Sequence, residues 1–107
     1  MRIVMSVQII RHDKVIAIEG EMTIYFAAEM KEQLLAMLEA EHGDVVLDLA
    51  RVTELDTCGL QMLLMVHAVA RAADRSFGLR SPGTTVADVL RLSGLNDWLD
   101  SRASEAA

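Results

Sequence analysis

The hydrophobic positions change period several times along the chain, and each change marks an element. Ile3-Val4-Met5-Ser6-Val7-Gln8-Ile9-Ile10 is rich in β-branched residues and alternates in part, which predicts a strand over 3–10. The polar run Arg11-His12-Asp13-Lys14 predicts a hairpin turn, and Val15-Ile16-Ala17-Ile18-Glu19 a second strand ended by Gly20. Two strands joined by so short a link pair antiparallel. From Tyr25 the period lengthens: Phe26, Met30, Leu34, Met37 and Leu38 share one helical face, while Glu29, Lys31, Glu32, Gln33 and Glu39 cover the rest. Thr23 is placed to cap this helix. His42-Gly43 ends it, with Gly43 expected in the left-handed conformation of a helix stop.

The short apolar run Val45-Val46-Leu47-Asp48-Leu49 has the composition of a buried parallel strand. Asp56-Thr57-Cys58-Gly59-Leu60 then turns the chain into a second helix, expected over about 58–73. Phe77-Gly78-Leu79-Arg80 predicts a further strand, and Ser81-Pro82-Gly83-Thr84-Thr85 a loop and helix start. Val86, Val89, Leu90 and Leu92 give a third helix closed by Gly94. Leu95 to Ser101 fits either a last strand or a helical turn, and Arg102 to Ala107 a frayed tail. The order ββαβαβα implies an α/β fold: one mixed sheet of about four to five strands, its N-terminal pair antiparallel, with helices packed on it. The 107 residues suit a single domain with its core over about 3–101, without repeats, linkers or low-complexity segments.

Composition narrows what such a domain does. Hydrophobic residues are 52% of the chain, yet only Tyr25, Phe26, Phe77 and Trp98 are aromatic, so the core is expected to be aliphatic. A net charge of −6 argues against a broad nucleic-acid or anionic-membrane surface, although Arg71 and Arg75 remain as local basic spots. One cysteine, Cys58, excludes an internal disulfide, and the scattered histidines have no zinc spacing, so no metal or other cofactor is expected. The apolar run from Leu60 to Ala70 contains Gln61 and His67 and is too short to span a bilayer, and the N-terminal residues lack a signal-peptide design. The expected location is therefore cytoplasmic.

The candidate chemistry gathers at the start of the second helix. There the backbone N–H groups lack partners and the helix dipole is positive, so the site can hold a phosphate. Thr57 is either an ordinary N-cap, stabilising by about 1 kcal/mol, or a phosphoacceptor gaining close to two negative charges. Asp56 is either a turn former or an electrostatic neighbour that orients the Thr57 hydroxyl or repels a second anion. Cys58 at a helix start is a candidate thiol nucleophile, but neither a histidine nor another base lies beside it in sequence. On a helical wheel Met62, Val66, Val69 and Ala73 fall on one side, while Leu60 and Leu64 fall on another near His67 and Arg71. Such a wide apolar arc is either wedged between sheet and neighbouring helix or partly exposed for docking, and Met62 and Met65 suit both. His12, His42 and His67 are expected on the surface or in loops, and Asp48 to bond locally near the end of its strand. Gly83 with Thr84 and Thr85 lacks the lysine and second glycine of a phosphate loop. No set of acid, base and nucleophile emerges, so an enzyme is not expected.

Asp56-Thr57-Cys58-Gly59-Leu60 resembles the Asp-Ser-Ser/Thr-Gly-Leu signature of the STAS domain family, and in particular its stand-alone bacterial anti-sigma factor antagonists. Gly20-Glu21 resembles that family's Gly-Glu-Leu/Ile-Asp step, Val45 to Leu49 its third strand, and Ser93-Gly94-Leu95 its Ser/Thr-Gly-Leu near the end of helix three. The likeness covers roughly residues 3–101 in order. It implies a partner switch. The unphosphorylated domain sequesters an anti-sigma factor that is also a serine/threonine kinase; phosphorylation of the hydroxyl after the signature Asp, here Thr57, releases it; a PP2C-type phosphatase resets it. The implied partner-binding switch loop comprises Glu21, Thr23, Asp56, Thr57, Cys58, Gly59, Leu60, Gln61 and Leu64. Two positions depart from the family pattern: Thr57 stands at the usual Ser, and Thr23 at the Asp after Gly-Glu-Leu/Ile. A non-phosphorylated STAS subunit of a transporter or chemotaxis-type complex is the alternative on the same fold, and a thiol-dependent enzyme using Cys58 a third.

Overall fold

The computed structural model describes residues 7–12 and 14–95. Among these residues four strands, β1 (Val7–His12), β2 (Val15–Met22), β3 (Val45–Leu55) and β4 (Phe77–Arg80), lie side by side in the order β1-β2-β3-β4. The β1/β2 pair is antiparallel, while β2/β3 and β3/β4 are parallel. The three helices of the described residues, α1 (Ala27–Ala40), α2 (Thr57–Ala72) and α3 (Thr84–Leu92), alternate with the later strands, and a 3-10 turn, Ile24–Phe26, leads into α1. The expected α/β fold, its ββαβαβα order and its mixed sheet are therefore present. The alternative strand or helical turn over 95–101 and the tail over 102–107 lie outside the described residues, except for Leu95.

Alternation sets the buried side of the sheet. Val7 and Ile9 of β1 are buried while Gln8 and Ile10 are exposed, and Ile9 pairs with the buried Ile18 of β2. His12 pairs with Val15, so the hairpin link is only two residues rather than the four expected. Gly20 does not end β2. It takes φ +103, and the register with β3 shifts between Gly20 and Glu21, so the strand bends through a bulge and pairs on to Met22. β3 likewise runs on past Leu49, because β2 supplies ladder partners as far as Leu55, whereas β4 pairs only Val45 to Asp48. That extension places Asp48 inside the strand. Its Oδ1 accepts the Ala50 N–H at 3.0 Å, the local bond expected of it.

The core is aliphatic, as the composition requires: Ile18, Met22, Met30, Leu34, Leu47, Leu49, Leu63, Leu79 and Leu90 are fully buried, and Phe77 is its aromatic member. Each such side chain contributes about 1.5–3 kcal/mol by leaving water. In α1 the buried stripe is Met30, Leu34 and Leu38, with Phe26 and Met37 packed at its edge. Gly43 is not the left-handed stop of α1, which ends at an extended Glu41. Arg75 does that work from a distance: its guanidinium donates to the Leu38 carbonyl at 2.9 Å and the Gly43 carbonyl at 2.7 Å. The predicted basic spot at Arg75 is thus engaged with backbone, while Arg71 is exposed in the last turn of α2.

Candidate functional site

The mouth of α2 is built by the ends of β2 and β3. Asp56, directly after β3, is the N-cap of α2, with extended backbone (φ −105, ψ −171) and a side chain that accepts the Gly59 N–H. Thr57 is therefore the first helical residue and not the cap, and α2 starts one residue before its expected position. Asp wins the cap because its carboxylate reaches back from outside the helix to an N–H that has no intrahelical partner. Its second oxygen reaches across the chain: Oδ1 accepts from Gly59 N at 3.0 Å and Oδ2 from Ile24 N at 2.9 Å. The Asp56 N–H itself donates to the Met22 carbonyl at 3.2 Å. Partial burial pushes the Asp56 carboxyl up, but the N–H groups of Ile24, Gly59, Cys58 and Asp56 outweigh it and hold the group below the ordinary aspartate range.

The predicted residues separate into those at the surface and those beneath it. Thr57 and Gln61 are exposed, Asp56, Cys58 and Leu60 are half-buried, and Leu64 is 41% exposed. Gly59, Glu21 and Thr23 are buried. Gly59 is at the closest approach of α2 to the sheet: a Cβ there would lie 2.1 Å from the Met22 carbonyl oxygen and 2.6 Å from Leu55 Cδ1. Only a residue without a side chain lets the helix start this low.

The buried stripe of α2 is Gly59, Leu63, Val66 and Ala70, not the Met62, Val66, Val69 and Ala73 side read from the wheel. Met62, Met65, Val69 and Leu60 pack at its margins, and Ala73 is exposed beyond the helix end. The close seat of Gly59 against Met22 turns the line through Leu63, Val66 and Ala70 to the sheet. Leu64 leaves part of the apolar arc in solvent. His12 and His42 are exposed as expected, but His67 is half-buried and meets Phe77 edge-on, with ring centroids 5.1 Å apart.

Thr23 does not cap a helix with its side chain. Its backbone occupies the N-cap position of the 3-10 turn, yet its buried hydroxyl oxygen has no hydrogen-bond partner among the described residues. Glu21 lies opposite Glu54 in the parallel β2/β3 register. Burial, the Glu54 charge and a hydrogen bond between the two carboxyls raise the Glu21 pKa above the ordinary glutamate value. Two residues at this mouth were not among the expected site residues, Ile24 and Tyr25, which are 64% and 81% exposed. The signal available was the apolar triplet Ile24-Tyr25-Phe26 just ahead of α1, of which only Phe26 turns to the core. Cys58 is a free thiol, and among the described residues there is no group of three or more potential metal ligands. No helix among the described residues is long and apolar enough to cross a membrane.

Fold and site together define an α/β domain whose second helix opens on a carboxylate cap followed by an exposed threonine. The chain belongs to the STAS domain family: the family profile described as "Mlab, STAS domain" matches residues 5–100. Its fold is also that of solved antagonists. A putative anti-sigma factor antagonist from Thermotoga maritima superposes with a TM-score of 0.70 at 22% identity, over 84% of this chain and 80% of that one. An anti-sigma factor antagonist from Mycobacterium paratuberculosis gives 0.69 at 22% identity, over 86% and 80%. The Bacillus cell fate determinant SpoIIAA in its phosphorylated form gives 0.65 at 18% identity, over 87% of each chain.

Proposed function

We propose that this protein is an anti-sigma factor antagonist controlled by phosphorylation at Thr57, acting in the cytoplasm by binding and not by catalysis. The observation that carries this reading is the exposure of Thr57 on the first turn of α2, directly after a carboxylate cap that leaves the hydroxyl free. The family membership and the solved phosphorylated form of SpoIIAA, a protein of the same fold, support it. The partner is an anti-sigma factor that is also a serine/threonine kinase, and it docks around the α2 mouth. In the transfer the Thr57 oxygen forms an O–P bond to the terminal phosphorus of a nucleoside triphosphate held by the kinase, the bond from that phosphorus to its bridging oxygen breaks, the nucleoside diphosphate leaves, and the hydroxyl proton is released. A PP2C-type phosphatase hydrolyses that ester and restores the binding form.

The magnitudes suit a switch. A tenfold loss of affinity needs about 1.4 kcal/mol, and a dianion left unpaired in a closed interface costs more than that. The test is intact-mass analysis after incubation with the cognate anti-sigma factor kinase and a nucleoside triphosphate. One added phosphate on the wild type and none on Thr57→Ala is expected; wild-type protein that stays unmodified while the kinase is active on another substrate removes the proposal.

A second reading, a non-phosphorylated STAS subunit of a transporter or chemotaxis-type assembly, is favoured by Thr23, where the family's antagonist pattern has Asp. A stable complex with such an assembly, formed equally well by Thr57→Ala and Thr57→Asp, would select it.

A further inference from the structure

We propose that the Asp56 carboxylate is a two-ended latch, capping α2 with one oxygen and with the other fixing the Ile24–Tyr25 turn beside Thr57. The recognition role of that turn rests on the docking site proposed above; the latch itself does not. An ordinary N-cap needs one acceptor, and serine or threonine supplies it as well as aspartate does. Here Oδ1 meets Gly59 N at 3.0 Å, and Oδ2 meets Ile24 N at 2.9 Å, 32 residues away in the chain. Both partners are donors, so both side-chain atoms must be acceptors. Asparagine would offer one carbonyl oxygen and turn an NH2 group against an N–H. The position therefore asks for a carboxylate, and the surrounding N–H groups favour its ionised form.

The core side of the turn is held by Phe26, which packs against the buried cluster and donates its N–H to the Thr23 carbonyl at 3.0 Å, but the Ile24–Tyr25 pair lies outside that packing. Ile24 and Tyr25 stand 64% and 81% exposed, so burial anchors neither, and the Thr23 side chain makes no cap bond to the turn. Among the described residues, the bond to Asp56 Oδ2 ties the turn's first N–H across to α2. Asp56 is thus a positioning residue: it keeps an exposed apolar pair and the Thr57 hydroxyl in one fixed relation, so that a partner reads them as a single surface. A phosphate on Thr57 lies one residue from this carboxylate, repels it, and loosens the turn as well as charging the mouth.

Hydrogen exchange on the full chain tests the latch without any partner. Asp56→Ser keeps an α2 cap but cannot reach both donors. The Gly59 amide is expected to keep its protection, while the Ile24 amide exchanges roughly tenfold to a hundredfold faster, as befits loss of a bond to a charged acceptor. An unchanged Ile24 amide, or equal loss at both amides, overturns the proposal. Ile24→Pro probes the other end, deleting the donor at the first position of the turn after an extended Thr23, where proline fits. The Asp56 carboxyl, followed by its side-chain 13C shift, should then titrate closer to the ordinary aspartate range, and an unmoved midpoint counts against the latch. Neither readout depends on phosphorylation, so failure of the kinase experiment and failure of the latch are separate results.

Discussion

Gly59 shows how one missing side chain sets the geometry of the mouth. An added Cβ would meet the Met22 carbonyl oxygen at 2.1 Å and Leu55 Cδ1 at 2.6 Å. The first obstacle is backbone and cannot swing aside. Gly59→Ala is expected to cost about 1–3 kcal/mol, typical of overpacking, despite alanine's better helix propensity. A urea midpoint equal to that of the wild type would refute it. Glu21 makes a prediction of opposite sign. Burial and the Glu54 carboxylate oppose its ionisation in the folded protein, so its pKa is higher there than in the unfolded chain. Its contribution is complete below the ordinary glutamate range and is lost as pH rises through the raised folded value. Glu21→Gln, which carries no charge at any pH, should flatten that fall and be more stable than the wild type at neutral pH, as measured by chemical denaturation across pH. A lower stability at pH 7 would show that the carboxylate is held by something other than the burial and the Glu54 contact described. Asp56 acts in the reverse direction, its lowered pKa giving stability that is lost as pH falls through the folded value.

At the scale of elements, the C-terminal ends of the helices are closed in two different ways. α3 finishes with Gly94 at φ +76, and α2 finishes in the same hydrogen-bond pattern with Asp74 at φ 57. α1 has neither device. Its C-terminal Leu38 carbonyl is satisfied by Arg75, from the segment between α2 and β4. Because the same guanidinium holds the Gly43 carbonyl, it pins α1 and the α1–β3 connection to the far end of α2. Arg75→Ala removes two charge-assisted bonds and is expected to cost about 1–3 kcal/mol. Faster amide exchange in the last turn of α1, with the α2 mouth unaffected, is the accompanying signature. Arg75→Lys should recover only part of the loss, since an ammonium cannot reproduce the two-pronged geometry.

For the whole molecule, the separation between core and mouth matters most. The fully buried side chains come from all three helices and from β2, β3 and β4, and Thr57 contributes nothing to them. A negative charge on the first turn of a helix is also favourable by about 0.3–1 kcal/mol. Thr57→Asp should therefore keep the fold, with a melting temperature equal to or slightly above that of the wild type, while binding to the proposed anti-sigma partner weakens at least tenfold. Calorimetry and titration on the same preparation check both halves. A variant that melts several degrees lower, or that binds as tightly as the wild type, contradicts this division of labour.

The ladder of strands and helices could be read from residue order because burial imposes periods on the chain. The even spacing of Ile16 and Ile18, the continuous run from Val45 to Leu49 and the stripe of Met30, Leu34 and Leu38 each follow from facing a dry interior. The run Asp56 to Leu60 pointed to the α2 mouth for a related reason: a helix start asks for a small set of residue types. Other features needed the folded neighbours. The polar half of β3 forms because β2 lies beside it, Arg75 closes a helix that ended 35 residues earlier in the chain (75 − 40), and the Asp56 cap is tied by its second oxygen to Ile24. These are contacts between distant segments. Periodicity records which side of a residue is dry, but not which partner stands there.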